Sequence, residues 1–291
     1  MDPRVKRTIV ATTLAAASIV VILFVRYPPT LDTESLVAFG TLLALSTLAM
    51  MLYLRFTEAG STTSMDFVPE LGAILLIGPT GAVVVTLLSE LISGFFLYKE
   101  KSAMKKLFNV AQLVLAVGAA GLLFRWSGGV ESLDTFRFQA YLAPFLVAVL
   151  AYFAVNTGTV AFIVSVSERR SFFEAWREIT GGLIVFDIAM SPLAFLVAFL
   201  YTQYGVLAVF LAMIPLIGLR YSYGINFELQ QLNSDLLRLM VKTIEAQDPY
   251  TSGHSIRVSE AAKKIGRALE LNSRQLKIVE TAALLHDIGK I

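Results

Sequence analysis

The sequence predicts an all-α protein, in which a polytopic bundle of transmembrane helices precedes a helical linker and the start of an all-helical domain. Composition is the first reason: 56% of the 291 residues are hydrophobic and 16% are charged, whereas a typical soluble domain has about 25% charged residues. The second reason is that apolar runs of membrane-spanning length fill residues 1–219. Residues 220–291 have an ordinary soluble composition, which indicates a boundary near Arg220.

Runs long enough for one crossing each define most of the predicted spans. They are residues 8–25, 35–54, 106–124, 139–166, 181–200 and 205–219. A further apolar stretch, 67–97, is interrupted at Gly78-Pro79. That interruption predicts either two helices (67–78 and 80–97) or a re-entrant hairpin, because a broken backbone at membrane depth must be covered by protein. The count is therefore about eight spans, or six if residues 67–97 are re-entrant.

The distribution of basic residues predicts the sidedness of these spans, because cytoplasmic loops carry an excess of Lys and Arg. With the N-terminus inside, the outside loops hold three basic residues: Arg26, Arg125 and Arg137. The inside segments then hold 11: Arg4, Lys6, Arg7, Arg55, Lys99, Lys101, Lys105, Lys106, Arg169, Arg170 and Arg177. An even number of crossings returns the chain to the cytoplasm at Arg220, so we expect both the N-terminus and the C-terminal domain there. The first run has the length of a full span, so we interpret it as a retained helix and not as a signal peptide.

Polar residues interrupt several of the apolar runs: Glu70, Glu90, Asn109, Gln112, Asn156 and Asp187. Ionisable groups inside spans are costly and often mark a pathway or a ligand pocket. The alternative is that they pair between helices or lie near an interface. Both interpretations stay open at this point.

Residues 220–247 change from uniformly apolar to striped. Large aliphatic residues recur there at intervals of four and three: Ile225, Leu229, Leu232, Leu236 and Leu239. This spacing is typical of a two-stranded coiled coil, which predicts a homodimer joined through the linker helix. The alternative is a single amphipathic helix that packs on its own domain.

Both histidines of the chain lie in residues 248–291. Thr251 or Ser252 can cap a helix that carries His254 in its first turn, and a second helix, from Arg274, ends near His286 and Asp287. Two antiparallel neighbours would bring these ends together. Two imidazoles and a carboxylate suit Fe, Mn or another divalent ion, and the lack of cysteine excludes thiolate ligands.

Two basic side chains near these ligands complete the predicted site. Lys290 adds a charge that can meet a phosphate, and Arg257 could reach either a phosphate or a structural carboxylate. The net charge of +2 gives no sign of a nucleic-acid polymer as partner.

The two segments that carry these residues resemble the HD-GYP family of metal-dependent phosphohydrolases. They read Asp248-Pro-Tyr-Thr-Ser-Gly-His254-Ser-Ile-Arg257-Val and Ala-Leu-Leu-His286-Asp287-Ile-Gly-Lys290-Ile. The resemblance implies an all-helical domain with a two- or three-metal site of iron or manganese, and hydrolysis of cyclic di-GMP to pGpG or GMP. It implies that His254, His286 and Asp287 bind metal, and that Asp287 and Lys290 serve catalysis, Lys290 through the phosphate. Tyr250 stands where some members have a glutamate ligand, which favours two metals.

The resemblance also sets expectations for the whole protein. We expect the membrane part (1–219) to control the hydrolase through the linker (220–247) in a bacterial inner membrane. The family's later ligands and its Gly-Tyr-Pro loop would lie beyond Ile291, so we expect residues 248–291 to be the N-terminal part of the domain and this chain by itself to be inactive. The alternatives are an HD hydrolase of another nucleotide, and a non-catalytic membrane receptor with a degenerate tail.

Overall fold

A computed structural model describes residues 2–51, 54–55, 62–63, 65–96, 102–133, 138–180, 188–245, 253–269, 271 and 273–287. The chain divides into two compact units, Met1–Gly218 and Leu219–Ile291. The described residues are almost entirely helical, which confirms the predicted all-α class. An antiparallel pair of two-residue strands, β1 (Leu54–Arg55) and β2 (Thr62–Thr63), is the exception among them.

The first unit contains α1 (Pro3–Arg26), α2 (Thr33–Met51), α3 (Phe67–Phe96), α4 (Ala103–Trp126), α5 (Phe138–Glu168) and α6 (Phe172–Thr180). Helix α7 (Pro192–Glu245) begins in this unit and ends in the second, which also contains α8 (His254–Ala268) and α9 (Ser273–Leu285). Within the described ranges, six segments are long and apolar enough to cross a membrane: Pro3–Arg26, Thr33–Met50, Phe67–Gly94, Ala103–Trp126, Phe138–Glu168 and Ile188–Leu211. The chain is therefore a membrane protein.

Helix α3 turns back on itself at Gly78, where φ is 78° and ψ is 176°. A Cβ on Gly72, before the break, would lie 3.9 Å from the Leu42 Cδ2 of α2, and Ser89, after the break, accepts a hydrogen bond from Ser46, one turn further along α2. In a straight helix Gly72 and Ser89 would be about 25 Å apart. The interruption thus lies at the Gly78-Pro79 pair identified in the sequence, and these contacts favour a hairpin over one kinked crossing. The number of crossings stays a prediction.

The turn in α3 lies at the same end of the unit as the C-terminal ends of α1 and α4. The Thr80 hydroxyl donates to the carbonyl of Leu23 at 3.1 Å and also to that of Tyr27. The Ser132 N–H, after α4, donates to the carbonyl of Leu75 at 3.1 Å. Both legs of α3 therefore extend from this turn toward the opposite end of the unit.

Basic residues gather at that opposite end. Asp2, before α1, pairs with Arg169, after α5, at 3.8 Å. The Lys106 ammonium, near the start of α4, donates to the carbonyl of Gly94 at 3.3 Å. Arg169 and Lys106, two of the basic residues counted on the inside, therefore lie at this end, whereas Lys99 and Lys101 lie outside the described residues. Which side of the membrane this end faces stays a prediction.

Close packing of α4 against the α3 turn depends on Gly121. A Cβ at this position would lie 2.7 Å from the Pro79 Cβ and 3.1 Å from its Cα. Pro79 can occupy the turn because it begins the second leg, where its missing N–H would have no helical acceptor. The core around this contact is apolar and includes fully buried Val117 and Phe124.

Helix α7 contains a second break, at Gly205, with φ 75° and ψ −168°. Its conformation is close to that of Gly78. Val209, one turn later, is fully buried in the same core as the preceding helices. Two spans were predicted at 181–200 and 205–219, whereas the described residues have one segment of spanning length across this glycine, Ile188–Leu211. Residues 181–187, with Asp187, lie outside the described residues.

The second unit is built on the antiparallel pair α8 and α9. The end of α8 packs on the start of α9, because a Cβ on Gly266 would lie 2.8 Å from the Leu276 Cδ1. The Leu271 N–H donates to the Gly266 carbonyl at 3.0 Å and turns the chain between the helices. The antiparallel arrangement brings the start of α8 beside the end of α9, which is where both histidines lie.

Candidate metal site

His254 is the first residue of α8 and follows a residue in the left-handed conformation. Gly253, the N-cap residue, has φ 71° and ψ 6°. Its carbonyl accepts the Arg257 N–H at 3.1 Å, which closes the first turn. The sequence had pointed to Thr251 or Ser252 as the cap, and both lie outside the described residues. The left-handed conformation of Gly253 sets the direction in which the backbone enters α8, and this direction positions the His254 side chain.

His286 follows the last residue of α9, and a backbone contact fixes its ring. Its Nδ1 lies 2.9 Å from the carbonyl oxygen of Ala283. A carbonyl can only accept, so Nδ1 donates to it and Nε2 is the ring nitrogen that faces the other predicted ligands. Such a backbone contact is how proteins set the tautomer and orientation of metal-binding histidines.

The three predicted ligands converge. The His286 Nε2 lies 3.1 Å from the Asp287 Oδ1, and the His254 and His286 ring centroids are 5.4 Å apart with an interplanar angle of 56°. One ligand atom from each of the three residues lies within 4.8 Å of the others. All three side chains retain access to solvent, so water or a phosphate could complete a coordination sphere.

These separations fit one divalent ion. With metal–ligand bonds of about 2.1 Å, adjacent ligands of an octahedral ion are about 3.0 Å apart. The 3.1 Å between the His286 and Asp287 atoms matches such an edge. The nitrogen, nitrogen and oxygen set suits Fe, Mn or Zn better than Mg or Ca, which prefer oxygen alone.

Glu280 holds together the helices that carry the ligands, a role that the sequence patterns did not reveal. Its main-chain carbonyl accepts the Ser259 hydroxyl at 2.9 Å. Its carboxylate pairs with Lys263 at 2.8 Å and with Arg238 of α7 at 3.5 Å. Glu280 therefore connects three helices of the second unit.

The structure describes one of the two predicted phosphate-binding residues. A Cβ on Gly253 would lie 3.0 Å from the Arg257 Nη1, so the Arg257 side chain folds back beside the start of α8, next to His254. Lys290 lies outside the described residues, as do Asp248 and Tyr250. Both phosphate-binding assignments remain predictions.

Apolar helices of spanning length, joined to a helical unit with a His–His–Asp cluster, define a polytopic membrane protein with a C-terminal HD-type domain. Residues 35–223 match the MASE9 family of membrane sensory domains, and the chain belongs to that family. Residues 251–291 match the HD domain. The predicted identity as an HD-family membrane protein is thereby confirmed.

A curated relative matches a short segment of this chain. A segment of 50 residues is 44% identical to the 3'3'-cGAMP-specific phosphodiesterase 3 of Vibrio cholerae. The segment is 17% of this chain and 11% of that protein, so the match extends over a small part of the relative's length.

Proposed function

We propose that the protein is a membrane-anchored, metal-dependent phosphohydrolase that opens a cyclic dinucleotide, with cyclic di-GMP as substrate and pGpG or GMP as product. The observation that carries this proposal is the convergence of His254, His286 and Asp287 within 4.8 Å. The HD match supports a hydrolase of this class.

Each residue of the site has a distinct part in this proposal. His254, His286 and Asp287 hold the ion, which we expect to be Fe or Mn in a two-metal centre. A bound ion of this kind polarises a phosphoryl oxygen and lowers the pKa of water. Arg257 and Lys290 bind the phosphate and orient the phosphorus toward the ligands, since cationic side chains stabilise charge that develops on phosphoryl oxygens.

A second substrate, 3'3'-cGAMP, is favoured by the Vibrio cholerae relative, whose name specifies it. Both compounds are cyclic dinucleotides and present similar phosphodiesters to the ligands. Discrimination between the two compounds would therefore depend on contacts to their bases. Parallel hydrolysis assays of the two compounds with the whole protein decide between them.

The leucine seam on α7 supports a homodimer. Within the described part of α7, its five members are large, aliphatic and exposed to solvent by 39–60%: Ile225, Leu229, Leu232, Leu236 and Leu239. A second copy of the seam would cover them. We propose that this dimer lies in the cytoplasm and that a membrane event changes the pairing of α7.

Sedimentation of the detergent-solubilised chain tests the dimer. Leu232→Asp should produce a monomer, and Asn233→Asp, one residue away on the helix, should leave the mass unchanged. A wild-type monomer at concentrations far above the micromolar range would refute the seam as an interface.

Metal binding tests the site without depending on turnover. The purified chain is loaded with Mn²⁺, and bound metal is measured by mass spectrometry after desalting. We expect His286→Ala to lose at least tenfold in affinity, and Glu260→Gln, an exposed carboxylate on α8, to bind as the wild type does. Equal binding by His286→Ala, or none by the wild type, would favour the alternative of a non-catalytic receptor.

A further inference from the structure

A cavity of about 540 Å³ opens at the end of the first unit where α3 turns. Its wall comes from the end of α1 and the segment after it, the start of α2, the turn of α3, and the end of α4 with the residues after it. Small-molecule sites in proteins have volumes of about 300–1,000 Å³ and contain a few placed polar groups. The cavity is therefore large enough for a small ligand, and no residue of its wall belongs to the candidate metal site.

One side of the wall is held in place by the protein itself. The Arg125 Nη1 donates to the Glu131 Oε2 at 2.5 Å, and the Arg125 guanidinium carbon lies 5.0 Å from the centroid of the Tyr27 ring. A Cβ on Gly78 would lie 3.2 Å from the Glu131 carboxyl carbon, so the turn of α3 packs against this carboxylate. The ion pair is thus ordered before any ligand binds, which reduces the entropic cost of binding.

The carboxylate of Asp32 is also occupied by the protein. Its Oδ1 accepts the Ser35 N–H at 2.8 Å, and its Oδ2 accepts the Ser35 hydroxyl at 3.0 Å. The Ser35 hydroxyl also lies 2.7 Å from that of Thr30. Asp32 therefore serves to cap the start of α2 and to order the segment before it.

Arg26 and Glu34 are the two remaining charged side chains of the wall. Both are exposed. Neither side chain forms an ion pair within the ranges that the structure describes. An exposed charge of this kind can bind a ligand without first breaking a contact within the protein, so the cavity offers one free charge of each sign.

The presence of both signs selects the class of ligand. A simple anion at Arg26 would share the cavity with three carboxylates, and a simple cation at Glu34 would share it with two guanidinium groups. The acids of the wall do not converge on a metal site, because the one such group in the described part of the chain lies in the second unit. A molecule that carries one negative and one positive group is complementary to both free charges.

We infer that this cavity binds a small zwitterion with an acidic group and a primary ammonium group. Arg26 binds the acidic group, because a guanidinium can donate two parallel hydrogen bonds to a carboxylate or a phosphate. Glu34 accepts hydrogen bonds from the ammonium group. A free amino acid has this chemistry, and so does an ethanolamine lipid headgroup.

Occupation of the cavity would connect the ends of four helices, α1 to α4. The concentration of the zwitterion would thereby become an input to the membrane unit, since a ligand stabilises the arrangement of helices that binds it. This inference does not depend on the hydrolase activity.

The test measures the thermal midpoint of the full chain in detergent. The probes are the common amino acids, added one at a time, and glycerophosphoethanolamine, the soluble form of the lipid headgroup. We expect a saturable rise with at least one probe, of about 5 °C when it is about a hundredfold above its Kd. A rise with glycerophosphoethanolamine alone would identify the zwitterion as a lipid headgroup, and a rise with an amino acid alone would identify it as a free solute.

Derivatives of the probe that lack one charge test the need for both groups. For an amino acid, the N-acetyl and amide derivatives should produce no rise at the same concentration. Glycerophosphate and ethanolamine serve the same purpose for the headgroup. Equal binding by a derivative with one charge would overturn the inference, as would the absence of a rise with every probe.

Variants place the binding in this cavity. Arg26→Gln and Glu34→Gln should each weaken binding about tenfold, since each removes a hydrogen-bonded charge. Arg4→Gln, at the opposite end of α1, and Glu174→Gln, on α6, should bind as the wild type does. All four side chains are exposed, so their replacement leaves the core intact. Wild-type affinity in both cavity variants would overturn the inference.

Discussion

The Ser259 hydroxyl donates a hydrogen bond to the main-chain carbonyl of Glu280, with 2.9 Å between the oxygens. Ser259 is 6% exposed and lies on α8, the helix that begins with the first histidine, whereas Glu280 lies on α9. This bond sets the axial register of the two helices. The distance between the two imidazoles depends on that register.

Ser259→Ala should therefore weaken metal binding without touching a ligand. The lost hydrogen bond should lower the unfolding free energy by about 1 kcal/mol, and the looser register should reduce Mn²⁺ affinity. Calorimetric titration with Mn²⁺ and thermal unfolding measure the two effects. Thr243→Ala is the control, because that exposed hydroxyl bonds only within its own helix, to the Leu239 carbonyl. Unchanged Mn²⁺ affinity in Ser259→Ala would contradict the role assigned to the bond.

Gly121→Ala should destabilise the membrane unit. The new methyl would lie 2.7 Å from the Pro79 Cβ, and the turn that carries Pro79 cannot yield as a side-chain end could. Overpacking of this kind costs about 1–3 kcal/mol. Gly158→Ala on α5 is a matched control with open space around its Cβ, and its higher helix propensity should leave stability equal or greater. Thermal unfolding in detergent separates the two, and equal midpoints would disprove the tight contact.

Alanine substitutions at the two helix breaks should separate backbone strain from steric overlap. Gly205→Ala meets no neighbour within 4 Å, so only its positive φ opposes it, at a cost of about 1–3 kcal/mol. Gly78→Ala adds a contact of 3.2 Å with the carboxyl carbon of Glu131, which pairs with Arg125 at 2.5 Å. We expect the larger loss of thermal stability at Gly78. In a Glu131→Ala background, the Gly78→Ala effect should fall to the Gly205→Ala level, and an undiminished effect would exclude the overlap.

Asp32 should make the stability of the membrane unit depend on acid pH. The Ser35 N–H donates to its Oδ1 at 2.8 Å, and this backbone bond, followed by that of the Ser35 hydroxyl, lowers the pKa of Asp32 below its ordinary 3.8. A lowered folded-state pKa contributes stability that is present above the unfolded pKa and is lost as pH falls through the folded value. Asp32→Asn should flatten the decline of the unfolding midpoint below about pH 4. An unchanged decline would assign the acid sensitivity to another group.

Local features of the sequence were sufficient for much of this fold. Gly78-Pro79 marked the break in α3 because glycine allows a positive φ and proline has no N–H to continue a helix. Both properties belong to the residues themselves and do not depend on packing. The same pair could not say whether the second leg returns, since that depends on the packing of both legs against α2. Basic residues at the loop positions favoured a return, and the sidedness that they predict stays a prediction.

The two histidines of the site could be predicted from local sequence, whereas the role of Glu280 could not. Two histidines in patterned helix ends are a local signal, and the structure brings His254 and His286 together. Glu280 gave no such signal, because its role comes from three helices meeting at one residue. Helix α8 ends at Ala268, and the Leu271 N–H, which donates to the Gly266 carbonyl, turns the chain there, a contact that no local pattern announced.

The doubling back of α3 has a consequence for insertion of the chain into the bilayer. Because both ends of the α3 hairpin lie on the same face of the membrane, the hairpin does not change the face on which the next helix begins. Removal of residues 67–96 should leave a fusion reporter placed after α4 on its original face, whereas removal of α2 should invert it. The hairpin can thus be inserted, deleted or exchanged as a unit without changing the membrane orientation of the helices on either side.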